Sequence, residues 1–242
     1  MCGRITQYQS NSIYAAELGW RVPNPSWDTA RKPNWNLPPG ASALLLHCFE
    51  EGRQEMNTVH WGYTPSWAQT EKRQVSNARI EKGAASPYFR SLWKAGRAIV
   101  PADGWYEWVG PKGNKQPWYI RLSSDRPMFL AALTDVRPDR ELREGSGFVI
   151  VTAAADQGLI DIHDRRPVVL SADDAALWMD PDLPAEQAEH LARLMSLPPD
   201  AFTWYMVDRG VNNARNNSGT FIEPLTETQL HATEGPPGSQ PD

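Results

Sequence analysis

The sequence predicts a single mixed α+β domain in which sheet predominates and a few helices lie at the periphery. Short apolar segments bounded by glycine, proline and charged turns recur along most of the chain, whereas few segments carry a helical pattern. The 242 residues exceed the usual single-domain size but fit one domain with a substantial core. Neither a composition break nor an internal repeat divides the chain.

The predicted strands pair into hairpins or form short apolar runs. Residues 42–49 and 54–61 flank Glu51-Gly52, and residues 105–109 and 118–122 flank a turn over 110–116, so each pair predicts a hairpin. Further strands are predicted over residues 128–136, 147–153, 167–170 and 202–207. Several of these are too apolar for a sheet edge, which indicates a buried sheet interior.

The predicted helices are few and begin at recognisable capping residues. Ser171 has the position of an N-cap for a helix over 172–179, and Pro184 opens a helical pattern that runs to residue 195. A modest pattern covers residues 12–20. Ser91-Leu92-Trp93-Lys94 matches the Ser-x-x-Lys pattern of some acyl enzymes, but without a Lys-Thr-Gly partner it indicates a helix surface. We predict an ordered domain over 1–230 and a disordered, glycine- and proline-rich tail over 231–242.

Composition excludes several classes of protein. No apolar run approaches the roughly 20 residues of a membrane span, and the start lacks a signal-peptide pattern. The only cysteines are Cys2 and Cys48, which predicts a reducing, cytoplasmic location without a disulfide framework. Cys48 lies in an apolar segment and is predicted to be a buried structural thiol. The five scattered histidines show no ligand spacing, so neither a metal nor a cofactor is predicted.

The charge is divided between the two halves of the chain. The net charge of −5 argues against a nucleic-acid partner, but residues 1–121 hold 15 basic and 9 acidic side chains, whereas residues 122–242 hold 9 and 20. Within the basic half, residues 72–97 contain one acid, Glu81, and seven basic residues: Lys72, Arg73, Arg79, Lys82, Arg90, Lys94 and Arg97. Such a patch suits phosphate binding, although a charge run is more often a solvated face.

The first candidate for chemistry is Cys2. Removal of Met1 would leave a free α-amine and a thiol on one residue, with ordinary pKa values of roughly 8 and 8.5. The amine can condense with an aldehyde, and the sulfur can then close a thiazolidine ring. Cys2 on its own favours the plainer interpretation, in which position 2 tolerates any small residue.

Aromatic and rigid loops follow. Pro39 lies in Trp35-Asn36-Leu37-Pro38-Pro39-Gly40, a stiff turn that a ligand can approach closely. Trp61-Gly62-Tyr63-Thr64-Pro65-Ser66-Trp67 holds three aromatics between turn formers. Trp61 is predicted to be core; for Trp67, base stacking and core packing are equally favoured, because the chain holds 11 tryptophans.

Four polar side chains complete the candidates. Asn77 and Arg79 share one face of an extended segment, where the amide could hold a sugar and the guanidinium a phosphate. Glu107 lies in Trp105-Tyr106-Glu107-Trp108 and is either a buried, protonated acid or an exposed carboxylate on an alternating strand. His163 lies among aspartates and arginines and suits a proton shuttle, although most lone histidines are merely hydrogen-bonded polar residues.

Four motifs in order resemble the SOS response-associated peptidase (SRAP) family. They are Met1-Cys2-Gly3-Arg4, Asn77-Ala78-Arg79, the string from Ala102 to Trp108, and Ile162-His163-Asp164-Arg165-Arg166-Pro167. The resemblance covers residues 1 to about 225. It implies a predominantly antiparallel β pseudo-barrel and capture of abasic sites in single-stranded DNA through a thiazolidine crosslink to the N-terminal cysteine.

The resemblance also implies residue roles. Cys2 would be the nucleophile, Asn77 would position the sugar, Glu107 would move protons and His163 would assist. Arg4 and Arg79 would hold phosphates, with Pro39 and Trp67 packing on neighbouring bases. The implied partner is single-stranded DNA, bound by a monomer that joins the nucleoid when damage is present. Ala68 follows Trp67 where some members have a second tryptophan, which implies weaker stacking there.

Two other functions stay open at the level of sequence. A cysteine peptidase would use Cys2, His163 and Glu107 for acyl transfer, with the Met1-Cys2 bond as its supported substrate. A non-covalent single-strand binding module would leave the cysteine without a role. A β-elimination lyase activity is a secondary expectation, since a Schiff base acidifies the carbon next to the aldehyde carbon.

Overall fold

The computed structural model describes residues 2–20, 31–50, 53–71, 74–155, 159 and 162–234. Within these residues the strands are β1 Ile5–Gln7, β2 Asn34–Leu37, β3 Ser42–His47, β4 Glu55–His60, β5 Asn77–Arg79, β6 Arg97–Ala102, β7 Gly104–Val109, β8 Gln116–Leu122, β9 Met128–Thr134, β10 Phe148–Ala154, β11 Arg165–Pro167, β12 Val169–Leu170 and β13 Phe202–Met206. The α-helices are α1 Asn11–Glu17, α2 Arg90–Ala95, α3 Ala172–Met179, α4 Ala185–Leu194 and α5 Glu227–Glu234.

The strands form two sheets. The first has the order β13-β8-β7-β1-β2, and the second has the order β11-β10-β9-β6-β3-β4, with β12 paired to β9 and β5 paired to β10. The pairings are antiparallel, except that β5 runs parallel to β10. Among the described residues the two hydrogen-bonded paths stay separate, so pseudo-barrel describes this mixed α+β domain only loosely.

Strand alternation distributes the core into layers. Leu45 on β3 and Trp105 on β7 belong to one cluster, which therefore lies between the two sheets. The neighbouring Leu44 points to the opposite face, where Trp93 of α2 and Trp178 of α3 cover the second sheet. A smaller cluster covers the outer face of the first sheet, with Tyr106 and Tyr119 packed against Val207, Val211 and Phe221.

The predicted hairpins and the helices predicted after Ser171 and Pro184 are confirmed. β3 pairs β4 and β7 pairs β8 as expected, and Ser171 accepts a hydrogen bond from the backbone N–H of Asp174 as the N-cap of α3. The turn predicted over residues 35–40 is partly strand, since β2 runs to Leu37. α5 was not predicted, and the tail prediction begins inside this helix, while residues 235–242 lie outside the described residues.

The basic patch predicted over residues 72–97 is not one surface. Arg97 is buried, and its guanidinium donates to the backbone carbonyls of Trp93, Trp178, Asp180 and Leu183 at 2.6–2.8 Å. A buried arginine needs most of its five N–H donors to be hydrogen-bonded. The four bonds of Arg97 connect α2, α3 and the turn that follows α3. Lys72 and Arg73 lie outside the described residues.

No helix in the described part of the chain is long and apolar enough to span a membrane.

Candidate functional site

The first strand carries Cys2 into the centre of a sheet. β1 lies between β2 and β7, with Ile5 opposite Trp105 and the N–H of Tyr106 donating to the carbonyl of Arg4 at 3.0 Å. Continued by two residues toward the N-terminus, the same register places Gly3 opposite Glu107. Cys2 is fully buried in the cluster between the sheets. The predicted nucleophile therefore lies next to the predicted acid.

Asn77 contacts Cys2 directly. Its Nδ2 donates to the carbonyl of Cys2 at 3.0 Å and to Oγ of Ser76 at 3.1 Å. Two contacts hold this segment: Asn77 pairs with Ile150 in the parallel β5–β10 ladder, and the indole N–H of Trp61 donates to the carbonyl of Ser76 at 2.9 Å. Oδ1 of Asn77 is buried and has no hydrogen-bond partner among the described residues, so it is an acceptor available to a ligand.

Glu107 is buried, with only 4 % of its surface exposed. Tyr106 packs on the outer side of the sheet while Trp105 faces the interior, so Glu107, two residues after Trp105, also faces the interior. Burial raises the pKa of Glu107 from 4.5 to about 8. The exposed alternative is therefore wrong, and the side chain is mostly a neutral acid at pH 7. Burial, and then the proximity of Glu107, raise the pKa of the Cys2 thiol.

His163 lies at the edge of the same site. Its Nδ1 lies 3.0 Å from the backbone nitrogen of Arg165 and 2.7 Å from Oδ1 of Asp164. A proton on Nδ1 that is donated to Asp164 leaves Nε2 as the basic nitrogen of the neutral ring. Burial lowers the pKa of His163, which favours the neutral ring. The Asp164 carboxylate acts on the pKa values of both His163 and Glu107, so these two groups share one electrostatic neighbourhood. Arg165 holds the segment by pairing with Glu81 at 2.5 Å.

The four predicted DNA-binding residues differ in how far they are exposed. Pro39, Arg79 and Trp67 are exposed, Trp67 by 63 %, which favours ligand contact over core packing for this tryptophan. Arg4 is half-buried: its Nη1 donates to Asn36 and to the carbonyl of Val211 at 2.9 Å, and its guanidinium lies over the ring of Trp108. Its phosphate-binding role stays a prediction.

Trp61 and Cys48 were both predicted to be buried. Trp61 is fully buried as predicted. Cys48 was predicted to be buried but is only half-buried, and this partial burial raises its pKa to about 11. In the described residues no group of three or more His, Cys, Asp or Glu side chains has the geometry of a metal site.

Sequence reasoning missed two contributors to the site. Trp105 is buried, and its indole Nε1 has no hydrogen-bond partner in the described part of the chain. Asp103 is also buried and accepts the backbone N–H of Tyr8 and the hydroxyl of Tyr14, both at 2.7 Å, so it fixes the end of β1 against the start of β7. The string from Ala102 to Trp108 pointed to both residues but not to their partners.

The buried acid predicts a pH dependence of stability. The folded chain holds the Glu107 proton up to a pKa of about 8, whereas the unfolded chain releases it near 4.5. The free energy of unfolding therefore falls as pH rises between these values, by at most roughly 1.4 kcal/mol per pH unit. We expect Glu107→Gln to remove this slope, measured by urea unfolding at pH 5, 6.5 and 8. Equal slopes in the variant and the wild type would contradict the assignment.

Comparisons with known proteins identify relatives of this chain. The model of the family described as SOS response associated peptidase (SRAP) matches residues 1–214. The abasic site processing protein YedK of Escherichia coli K12 is 40% identical over 226 residues, which cover 93% of this chain and 100% of that protein. The abasic site processing protein YoqW of Bacillus subtilis strain 168 is 30% identical over 231 residues, 92% of this chain and 99% of that protein.

A solved structure has the same fold. The crystal structure of a phage-related protein from Bordetella bronchiseptica superposes with a TM-score of 0.73 and 34% sequence identity, covering 93% of this chain and 99% of that one. The family match extends from the first strand through β13, and Cys2, Asn77, Glu107 and His163 lie inside the matched range. This chain belongs to the SOS response associated peptidase family.

Proposed function

We propose that this protein processes abasic sites in single-stranded DNA by covalent capture through Cys2 after removal of Met1. The observation that carries the proposal is that Cys2, at the start of the chain, is buried next to a neutral glutamic acid and is held by Asn77. The names of the two relatives, both abasic site processing proteins, support abasic sites as the substrate. An abasic site suits such a group of residues, because its aldehyde is reached without moving a base.

The chemistry begins with ring opening of the deoxyribose. Protonated Glu107 donates its proton to the ring oxygen as the bond between that oxygen and C1′ breaks, while neutral His163 accepts the proton of the C1′ hydroxyl. These roles require a carboxylic acid that keeps its proton near pH 7 and an imidazole that is neutral at the same pH. The raised pKa of Glu107 and the lowered pKa of His163 both agree with this requirement. The product is the open-chain aldehyde.

Capture then proceeds in two steps. The neutral α-amine of Cys2 attacks C1′ and one water leaves, which forms an imine. The sulfur adds to C1′ while the thiol proton moves to the nitrogen, and the thiazolidine ring closes. The net change is protein plus DNA minus one water. Asn77, with its unused Oδ1 acceptor, is suited to bind a sugar hydroxyl during these steps.

The phosphates and bases beside the lesion need their own contacts. We assign phosphate binding to Arg79 and Arg4, and stacking to exposed Trp67 and Pro39. A monomer suffices for this arrangement, because all of the site residues come from one chain. Action on chromosomal DNA implies a cytoplasmic location and association with the nucleoid when damage is present.

The peptidase alternative receives less support. Acyl transfer needs a thiolate, and burial beside Glu107 raises the pKa of the Cys2 thiol instead of lowering it. A lyase activity remains a secondary proposal, because elimination of the 3′ phosphate competes from the imine until the sulfur closes the ring. Cleavage of the Met1-Cys2 bond by the protein itself is also a proposal.

Blocking the N-terminal amine distinguishes the three functions. We expect an intact mass that lacks Met1 and, after incubation with single-stranded DNA carrying one abasic site, a heat-stable adduct of protein plus DNA minus water. Reductive dimethylation of the α-amine should abolish the adduct. It should leave most of the DNA binding, and any acyl transfer by the thiol, unchanged. An undiminished adduct after this block contradicts the aminothiol mechanism; binding without any adduct favours the binding module.

A further inference from the structure

An apolar groove lies on the outer surface of the two helices α3 and α4. It has a volume of about 540 Å³, and its apolar lining consists of Leu177, Leu183, Leu191, Leu194 and Met195. Leu177 is 50 % exposed, Leu194 is 66 % exposed and Met195 is 45 % exposed, so this groove holds half of the six large apolar side chains that are exposed in the described residues. Single exposed leucines are ordinary on a protein surface, but a cluster of them indicates a contact surface.

The packing of the two helices on the core does not need these side chains. Ala188 and Ala192 are fully buried and hold α4 against the helix side of the second sheet. Leu194 lies roughly 120° or more from both alanines about the helix axis. On α3, Trp178 is fully buried while its neighbour Leu177 faces outward. The groove is therefore an apolar surface additional to the core of the domain.

The surroundings of the groove are acidic. Residues 171–200 contain seven carboxylates and a single lysine or arginine, Arg193. Arg193 is occupied by an ion pair within α4 and by the carbonyl of Ile80, both at 2.6 Å. Asp174 and Glu186 line the groove, and no lysine or arginine of the described part of the chain does so. The groove thus combines an apolar floor with a negative rim.

Helix dipoles account for only part of this charge. An acid in the first turn of a helix is favourable, and Asp173, Asp174 and Glu186 have such positions. A base in the last turn is equally favourable, yet α3 has none there. Asp182 and Glu186 are exposed and form no ion pair with another residue that the structure describes. Their charges are available to cations that a partner brings.

The walls of the groove favour a helix over an extended segment as its occupant. Both walls are helices, which offer no strand edge to which an extended chain could add. A helix satisfies its own backbone groups and presents apolar side chains at spacings of three and four residues. The negative rim selects lysine and arginine on the flanks of such a helix and repels an acidic segment.

The second sheet separates the groove from the capture site. Trp178 and Ala188 belong to the cluster on the helix side of this sheet, whereas Cys2 belongs to the cluster between the two sheets. The negative rim also disfavours contact with DNA phosphates. A protein seated in the groove therefore leaves the DNA-binding side open.

We infer that the groove between α3 and α4 is the docking site for a basic amphipathic helix of a partner protein. The apolar face of that helix covers Leu177, Leu194 and Met195, and its lysines and arginines lie against the acidic rim. The inference goes beyond the proposed function, since no residue of the groove belongs to the capture site. Docking there would let a partner recruit the protein without displacing its DNA.

A designed peptide tests the inference on the full-length protein. The probe is a fluorescein-labelled helix of about 18 residues, with leucine at every third or fourth position on one face and lysine or arginine on its flanks. By fluorescence anisotropy we expect it to bind about tenfold more tightly than two controls. One control has the same residues in scrambled order, and the other has glutamate in place of each base. Equal binding of the patterned and scrambled peptides overturns the inference.

Matched variants locate the peptide on the protein. Leu177→Ser and Leu194→Ser alter exposed side chains and should each weaken binding about five- to tenfold, because the bound helix loses apolar contacts. Leu142→Ser, which removes a leucine 71 % exposed outside the groove, should have no effect. Glu186→Lys should weaken binding by a factor that shrinks as salt is added, whereas Glu223→Lys should not. Unchanged affinity in both groove serine variants overturns the inference.

A second copy of this chain is the main alternative occupant. Sedimentation velocity should show a wild-type monomer; a dimer that Leu194→Ser dissociates would assign the groove to self-association and overturn the inference. Saturating single-stranded DNA with a tetrahydrofuran site, which lacks the aldehyde of an abasic site, should leave the peptide affinity unchanged. Displacement of the peptide by this DNA would contradict the placement of the docking site. Leu194→Ser should crosslink abasic DNA at the wild-type level, so docking and capture fail separately.

Discussion

Cys2→Ser is expected to abolish the heat-stable adduct with abasic DNA completely. Serine keeps an α-amine, so the reversible imine still forms, but its hydroxyl is a much weaker nucleophile than a thiol and leaves the imine unclosed. We therefore expect the variant to retain strand cleavage by β-elimination, or to increase it. Denaturing gel electrophoresis after heating measures the adduct, and the cleaved strand is read on the same gel.

The other cysteine of the chain supplies the control. Cys48→Ser removes a half-buried thiol that packs against the helix side of the second sheet, away from Cys2, and it should crosslink at the wild-type level. A heat-stable adduct formed by Cys2→Ser at the wild-type level would refute the assignment of the sulfur. Equal loss of crosslinking in both variants would point to a folding defect instead.

Glu107→Gln is expected to slow crosslink formation by about 10²- to 10⁴-fold, the contribution of a positioned general acid–base. Glutamine fills the same space but has no acidic proton to donate to the ring oxygen. Because burial raises the pKa of Glu107 to about 8, the wild-type rate should fall above this pH as the acid ionises. The variant should lack that fall. Single-turnover rates between pH 6 and 9.5 test both statements.

An exposed carboxylate is the matched control for this variant. Glu223 lies on the surface, and Glu223→Gln should leave both the rate and its pH profile unchanged. Binding of Glu107→Gln to tetrahydrofuran-containing DNA should stay within about threefold of the wild type, a difference of less than 1 kcal/mol. A rate equal to the wild type, or the same fall above pH 8, would exclude Glu107 as the acid.

Local sequence signals predicted the elements that depend on local contacts. The Ser171 N-cap and the β3–β4 hairpin are each specified within about 20 residues, and both were predicted. β1 and β5 span only three residues each, too few for a periodic pattern. Their pairing with β7 and β10 is decided by tertiary contacts about 70 to 100 residues away in sequence, which no local window contains.

The candidate site was likewise predicted only in part from the sequence. The residue types that suit the chemistry were visible in the sequence, since a thiol at position 2 and a carboxylate among tryptophans are unusual. Their environment was not visible: Glu107 was equally consistent with an exposed position, and Arg97 was counted in a surface patch although it is bonded to four carbonyls. Charge is a property of a residue, whereas burial is a property of the fold.

The central position of β1 sets an order of events during synthesis. Cys2 is fully buried once β1 lies between β2 and β7. If an aminopeptidase supplies the free α-amine that the proposed capture needs, we expect it to remove Met1 before this strand docks. β7 begins at Gly104, about a hundred residues later, and translation at about 5–20 residues per second leaves the N-terminus exposed for roughly 5–20 s. In that case the nascent chain provides a limited interval in which the α-amine of Cys2 is exposed to the aminopeptidase, before folding buries the residue.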